Sequence, residues 1–392
     1  MIEILEQELM NYPSYIEISR SALQKNIEFL KQQYNGQVRI SSVVKANAYG
    51  HGIKQFVPIV EECGIDHFSV FSMDEALRVK GALKNHADVM VMGWAHPDDL
   101  EWGISNAIEL YVYEPDNFEK IVAVAKKLGR KAIIHIEIET GMNRTGLSDV
   151  ELKYLIKRIR QERDHIHIRG LCTHYAGAES ISNYVRVKSQ IGRFNRTYKW
   201  LAKRGIVPDL LHTACSAASI AYPQTHMDMV RIGILQYGFW PSPETFIHFT
   251  HGKQVKHDPL ERVISWKSRV MSTKEVKEGE FVSYGTTYLA KNDITIAVVP
   301  TGYSHGYSRS LSNQGRVLVH GQRVGVIGMI NMNMLIIDIS GIEGVEIGDE
   351  VVFIGKQEDS EITVGSFIEF SDQMNYELLT RLPQNIPRFV VD

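Results

Sequence analysis

Short apolar runs recur through the first two thirds of this chain, and helical patterns fill the gaps between them. The runs are residues 38–45, 67–71, 88–93, 109–113, 132–138, 168–174, 210–215 and 229–234. Amphipathic stretches at 73–84, 115–128, 149–160 and 189–203 lie between them. Strand–helix alternation predicts parallel strands joined by crossover helices. Eight such units over roughly 200 residues predict an α/β fold of the (β/α)8, TIM-barrel type, short for its kind. A doubly wound open sheet is the structural rival, and the glycine fingerprint that often marks it is missing.

Beyond about residue 250 the pattern changes. Segments 263–271, 294–300, 316–319, 323–328, 334–339 and 350–354 are strand-like and β-branched, with turns at Lys277-Glu278-Gly279 and His320-Gly321-Gln322. The expected organisation is a barrel domain at 1–250 and a mainly antiparallel β domain at 251–392. The N-terminal residues 1–18, with the apolar segment 14–18, are free to pair into the second sheet. At 392 residues, two or three domains is the ordinary count. A net charge of -3 gives no reason to expect nucleic acid or an anionic membrane as a partner. No apolar run approaches 18 residues, and residues 1–12 carry acids without a basic segment, so neither a membrane span nor a secretory signal is expected. Cys63, Cys172 and Cys215 are scattered and odd in number, which fits a reducing cytoplasm.

Barrel enzymes carry their chemistry at the C-terminal ends of strands. Here polar residues interrupt the apolar pattern at those ends: Lys45 after the first strand, Glu137, Glu139 and Arg144 after the fifth, His174 after the sixth, Ser216 after the seventh, and Arg231 with Gly233 at the eighth. A lysine ending a buried strand is costly unless it has a chemical job, and the commonest is a Schiff base with a carbonyl cofactor, above all pyridoxal phosphate (PLP). A surface lysine after an edge strand is the alternative. Singly, each of the others reads equally as a cap, a satisfied core histidine or a solvated cation; their shared placement points to a site. Loops after strands seven and eight often bind phosphate in this fold. They offer the Ser216 hydroxyl at the start of a small-residue helix and Gly233 for close backbone approach. Tyr49 adds a hydroxyl from the first loop.

The segment Val44-Lys45-Ala46-Asn47-Ala48-Tyr49-Gly50-His51 resembles the PLP-lysine motif of the alanine racemase family. So do Glu139-Thr140-Gly141-Met142-Asn143-Arg144, Thr173-His174-Tyr175-Ala176, Arg231-Ile232-Gly233-Ile234, Val282-Ser283-Tyr284-Gly285 and Gly302-Tyr303-Ser304-His305-Gly306-Tyr307, in family order. The resemblance implies a cytoplasmic PLP-dependent isomerase that interconverts L- and D-alanine, supplying D-alanine to bacterial cell wall. It makes Lys45 the base for the D-isomer and Tyr284 the base for the L-isomer. Arg231 would face the cofactor's pyridine nitrogen, with Tyr49, Arg144, His174, Ser216, Gly233 and Ile234 also holding the cofactor. Arg144, Met332, Tyr303 and Gln384 would contact substrate. His174 and Arg231 are the candidate cations for lowering the Tyr284 pKa. Tyr284 and Met332 would enter from a partner subunit, implying a homodimer.

Several positions depart from the family pattern. Glu137 stands where many members have a carbamylated lysine, and an unmodified Glu137–Arg144 ion pair is the expectation. Met329 stands for a usual arginine, Asn333 for an aspartate, Glu179 for an aspartate near the channel mouth, and Gln384 for a gate tyrosine. A lost tyrosine widens the pocket, so a broader racemase acting on serine or longer side chains is one alternative. A PLP-binding protein without turnover is the other, and Tyr284 argues against it. Histidines 165 and 167, and histidines 248, 251 and 257, lack partners at metal-ligand spacing, so no metal is expected. Cys215 has no neighbouring base to make it a nucleophile.

Overall fold

The computed structural model describes residues 12–34, 36–252, 257–368 and 375–392. The first strand, β1 (Ser14–Ser19), is followed by β2 (Arg39–Val43), β3 (His67–Val70), β4 (Asp88–Val91), β5 (Glu109–Val112), β6 (Ala132–Glu137), β7 (Ile166–Cys172), β8 (Leu210–His212) and β9 (Met229–Ile232). Strands β2 to β9 form one eight-stranded sheet in the order β8-β7-β6-β5-β4-β3-β2-β9, with every pair parallel. The ring closes between β8 and β9 through Asp228 N–H to Leu211 O at 3.1 Å and Arg231 N–H to Ala214 O at 2.9 Å. These are the eight apolar runs of the sequence, so the barrel replaces the open sheet.

The crossover helices follow from local signals. Helix Pro115–Leu128 opens with proline in its first turn and a reciprocal Glu114/Asn117 capping box, and closes on Gly129 at φ 59°. Its buried residues, Phe118, Ile121, Val122 and Ala125, repeat at 3.6-residue spacing and seat that face on the sheet. Helix Asp149–Gln161 starts from the same box, made by Ser148 and Glu151. Helix Tyr184–Ala202 begins five residues before the expected 189.

The remaining strands are β10 (Ile264–Arg269), β11 (Ser272–Val276), β12 (Ile294–Val299), β13 (Arg316–Val319), β14 (Gln322–Ile327), β15 (Leu335–Asp338), β16 (Glu350–Gln357), β17 (Ser360–Ile362) and β18 (Arg388–Val391). They join β1 in a second sheet ordered β11-β12-β15-β14-β13-β16-β10-β1-β18, with β17 on β16. All its pairs are antiparallel except β1–β18. The β13–β14 hairpin turns on His320 and Gly321, both at positive φ, as a two-residue primed turn requires. Trp266, Tyr15, Tyr307 and Phe353 are fully buried here, and the Trp266 indole N–H donates to Ser14 Oγ at 2.7 Å. Residues 1–11 of the N-terminal stretch lie outside the described residues. Two compact units result: one holds residues up to Ser21 with Tyr49–Gln55 and Arg262–Asp392, the other Ala22–Ala48 with Phe56–Glu261.

Candidate active site

Two residues past β2, the chain turns left-handed. Ala46, Asn47 and Ala48 sit at φ/ψ of 52/50, 54/51 and 53/52, and Tyr49 follows at φ 51°. Each left-handed L-residue costs about 1–2 kcal/mol against the right-handed form. The turn is held at both ends. Ala48 N–H donates to Val44 O at 2.8 Å, and Ala46 N–H donates to Glu75 Oε1 at 2.5 Å. The other oxygen of the buried Glu75 accepts Phe71 N–H at 2.9 Å. The conformation fixes where Lys45 leaves the strand. Burial, then Arg144 and Arg231, lower the Lys45 pKa against the opposing pull of Glu75. The amine is thus biased toward its neutral, nucleophilic form.

Arg231, the third residue of β9, is buried; its hydrogen-bond partners are neutral groups, and the Glu137 carboxyl acts on it electrostatically. One Nη donates to His212 Nδ1 at 2.6 Å and to His212 O at 2.7 Å; the other donates to Thr173 O at 2.8 Å and Thr213 O at 3.3 Å. These bonds occupy both Nη groups and leave the Nε–H. His174 lies within electrostatic reach of Arg231, Arg144 and Lys45. Burial and those three cations push its pKa down to about 3. In the single chain this favours the neutral ring over the expected cation. Its backbone carbonyl is fixed by Gln190 Nε2 at 3.0 Å, and Gln190 also accepts Ala176 N–H at 2.9 Å.

Ser216 and Gly233 meet directly: Gly233 N–H donates to Ser216 Oγ at 2.9 Å, leaving the serine its own proton to give. Ile234 is buried and starts the short helical turn Ile234–Tyr237. Arg144 stands exposed on a loop after β6. That loop is pinned by Glu139, which accepts from Gly141 N–H and from Asn143 N–H, the latter at 2.8 Å. Glu137 and Arg144 do not form the expected ion pair. The Glu137 carboxyl is buried and bonds Thr145, and burial pushes its pKa up, while the Arg144 guanidinium stays with solvent. Their attraction acts at a distance only.

The other unit gathers a second set. Tyr284, Tyr303 and Met332 are exposed by 70, 40 and 56%, unusual for residues of that size. Their loops are tied to one another. Tyr303 N–H donates to Asn331 O at 3.0 Å, Ser304 N–H to Met332 O at 2.9 Å, and Ser283 Oγ to Met329 O at 2.6 Å. Asn333 Nδ2 donates to Ser304 Oγ at 3.0 Å. Tyr49 is buried, its ring 6.1 Å from that of Tyr376. Next to it, Gly50 sits at φ 82°, where a Cβ would stand 2.0 Å from Leu379 O, so only glycine fits. Gln384 is exposed in the turn before β18.

Sequence reading missed Glu75, His212 and the groups behind them. For His212 a signal was present, an imidazole at a barrel-strand position where an apolar residue ordinarily packs; for Glu75, on helix Met73–Ala82, there was none.

The family model for the alanine racemase N-terminal domain matches residues 18–241, and that for the alanine racemase C-terminal domain matches residues 263–390. An alanine racemase of Methanococcus maripaludis is 35% identical, over 97% of this chain and 99% of its own length. The solved alanine racemase of Bacillus anthracis with bound L-Ala-P is 30% identical, covers 97% of this chain and 95% of its own, and superposes with a TM-score of 0.88. That of Bartonella henselae with covalently bound pyridoxal phosphate is 25% identical over 96% of this chain and 99% of its own, with a TM-score of 0.82. No described helix is long and apolar enough to cross a membrane.

Proposed function

Because the chain belongs to the alanine racemase family, we propose that it interconverts L- and D-alanine with PLP carried on the Lys45 amine. The observation that carries the reading is Lys45 itself. It follows a barrel strand, its amine is pushed toward the neutral form, and Arg231 and Arg144 lie within electrostatic range. The donor set suits the cofactor: an amine for its aldehyde, an unspent Arg231 N–H for its ring nitrogen, and a hydroxyl and small-residue backbone at Ser216, Gly233 and Ile234 for its phosphate. Tyr49 lies in the other compact unit, and its part in holding the phosphate rests on the family resemblance. When bound, PLP supplies a conjugated ring that takes up the electron pair left on the substrate α-carbon.

The remaining work falls to the protein. Lys45 Nζ, once freed from the cofactor by the substrate's own amine, would remove or return the α-proton on one face, and the Tyr284 phenol would do so on the other. A free phenol has a pKa of about 10, so holding it ionised at neutral pH costs about 4 kcal/mol unless cations stabilise it. With His174 neutral, that stabilisation falls to arginine. Arg231 donates a hydrogen bond and, as a guanidinium, surrenders no proton. His174 would help hold the cofactor through a ring that burial biases toward the neutral form. Arg144 steers the substrate carboxylate, with Tyr303, Met332 and Gln384 lining the approach. Tyr284 and Met332 come from the partner subunit of a homodimer, consistent with their exposure in a single chain. The barrel half, 1–250, carries the cofactor and the β half, 251–392, the second base, in a cytoplasmic protein without a disulfide among the described residues.

The test is proton NMR in deuterium oxide with PLP and one L-amino acid at a time, following loss of the α-proton, with chiral chromatography of the product. Exchange of alanine with appearance of D-alanine is the expected result. Exchange across serine and larger side chains would favour the broader racemase suggested by Gln384. No exchange with any amino acid would overturn the assignment.

A further inference from the structure

The interior of this barrel is polar along one line. Glu109 of β5, His135 of β6, His212 of β8 and Arg231 of β9 are all buried. They touch in series: Arg231 Nη to His212 Nδ1 at 2.6 Å, His212 Nε2 to His135 Nδ1 at 2.8 Å, and His135 Nε2 to Glu109 Oε2 at 2.8 Å. The direction of every proton in the series follows from its first member. A guanidinium has no lone pair to offer, so His212 Nδ1 must accept. A neutral His212 then carries its proton on Nε2 and gives it to His135 Nδ1. His135 in turn carries its own proton on Nε2 and gives it to the carboxylate. Glu109 Oε2 also takes His67 Nε2 at 3.0 Å, and the two imidazole bonds outweigh burial to hold the carboxyl well below its usual range. Burial keeps both His135 and His212 neutral.

The surrounding backbone makes room for this series. A bulge shifts the β6–β7 register between Ile134 and His135, and Gly170 is the residue opposite. Such bulges re-aim side chains beside functional sites. A methyl on Gly170 would stand 2.0 Å from His135 Nδ1 and 2.8 Å from His212 Nε2, inside the bond that joins the rings. Gly170 has no positive φ, so its absent side chain serves space and not conformation.

We propose that Glu109, acting through His135 and His212, is the positioning residue for Arg231: it fixes both imidazole tautomers so that the guanidinium keeps its Nη groups on the protein and presents its Nε–H to the site. This rests on the assignment of Arg231 to the cofactor's ring nitrogen.

Nitrogen-15 spectra of histidine-labelled protein, with PLP and without it, read the tautomers directly. His135 and His212 are expected to be neutral with protons on Nε2. A proton on Nδ1 of either ring, or a doubly protonated ring, would overturn the proposal. In kinetics, Gly170→Ala parts the two rings far from substrate. It is expected to lower kcat for alanine by about tenfold or more, with KM within about threefold and the cofactor's absorbance band moved. A Gly170→Ala protein that folds and matches wild type in kcat and absorbance would equally overturn it. Should that variant fail to fold, the wild-type spectra still decide. Wild-type protein without alanine turnover would sink the functional assignment, while the tautomers would stand or fall on the spectra alone.

Discussion

Replacing Ala46 by glycine should stabilise this protein, although the same change in an ordinary helix weakens it. Ala46 is exposed and held at φ 52°, ψ 50°. The left-handed form costs an L-residue about 1–2 kcal/mol, and glycine escapes that cost. Against this, glycine adds about 0.4–1 kcal/mol of unfolded-chain freedom that folding must remove. The net is a stabilisation of about 0.5–1 kcal/mol, or roughly 2 °C in Tm for a domain of this size. The Ala46 N–H bond to Glu75 is a backbone bond and survives the change. Ala123, exposed within helix Pro115–Leu128, is the control. There the substitution should cost about 1 kcal/mol. Thermal unfolding of both variants at one fixed protein concentration and without cofactor reads the two signs. If Ala46→Gly lowers Tm as much as Ala123→Gly does, the left-handed turn after Lys45 is not the conformation in solution.

Tyr284→Phe should lower alanine racemisation by about 10²–10⁴-fold while PLP binding, followed by absorbance, is retained; unchanged turnover would remove Tyr284 as a base. His174 gives a pH signature. Its folded pKa of about 3 lies below the unfolded value of 6.5, so the unfolded chain binds more protons in between, and stability falls as pH drops through that window. His174→Asn should flatten this part of the stability–pH curve in cofactor-free protein, and a parallel curve would refute the burial argument. Arg388 is buried without an ion-pair partner among the described residues; burial pulls its pKa down to about 10, and it donates to the carbonyls of Gly50 at 2.8 Å and Ile386 at 2.6 Å. Arg388→Met should cost about 2–5 kcal/mol by stranding those acceptors, measured as a lower midpoint in urea.

The barrel was legible because its strands are short, apolar and regularly spaced, a pattern few other folds share. The second sheet was legible where strands alternate, as in β10, or run apolar, as in β13. It was not at β11, whose sequence Ser-Thr-Lys-Glu-Val is polar and mostly exposed at the sheet edge. Nor was it at β18, a four-residue strand recruited by β1 across the length of the chain. At the site, residue types at strand ends identified Lys45, His174 and Arg231 as candidates. Charge states were not legible, because they depend on burial: His174 loses its proton and Glu137 is shut away from Arg144 only once the barrel closes. Glu75 and Glu109 were passed over since a glutamate in a short segment has no signature until its partners are known.

The placement of β1 also sets a timetable. Its partners, β10 and β18, begin 250 and 374 residues later in the chain. During synthesis the barrel strands can close long before either partner exists, while β1 waits with both edges open. The second sheet is complete only when the last strand of the chain has emerged. A fragment cut at the apparent domain boundary would therefore leave the second sheet without one of its internal strands and strand a lone β1 on the barrel. Tyr49–Gln55 also belongs with the second sheet and interrupts the barrel unit, so no single cut in the chain separates the two.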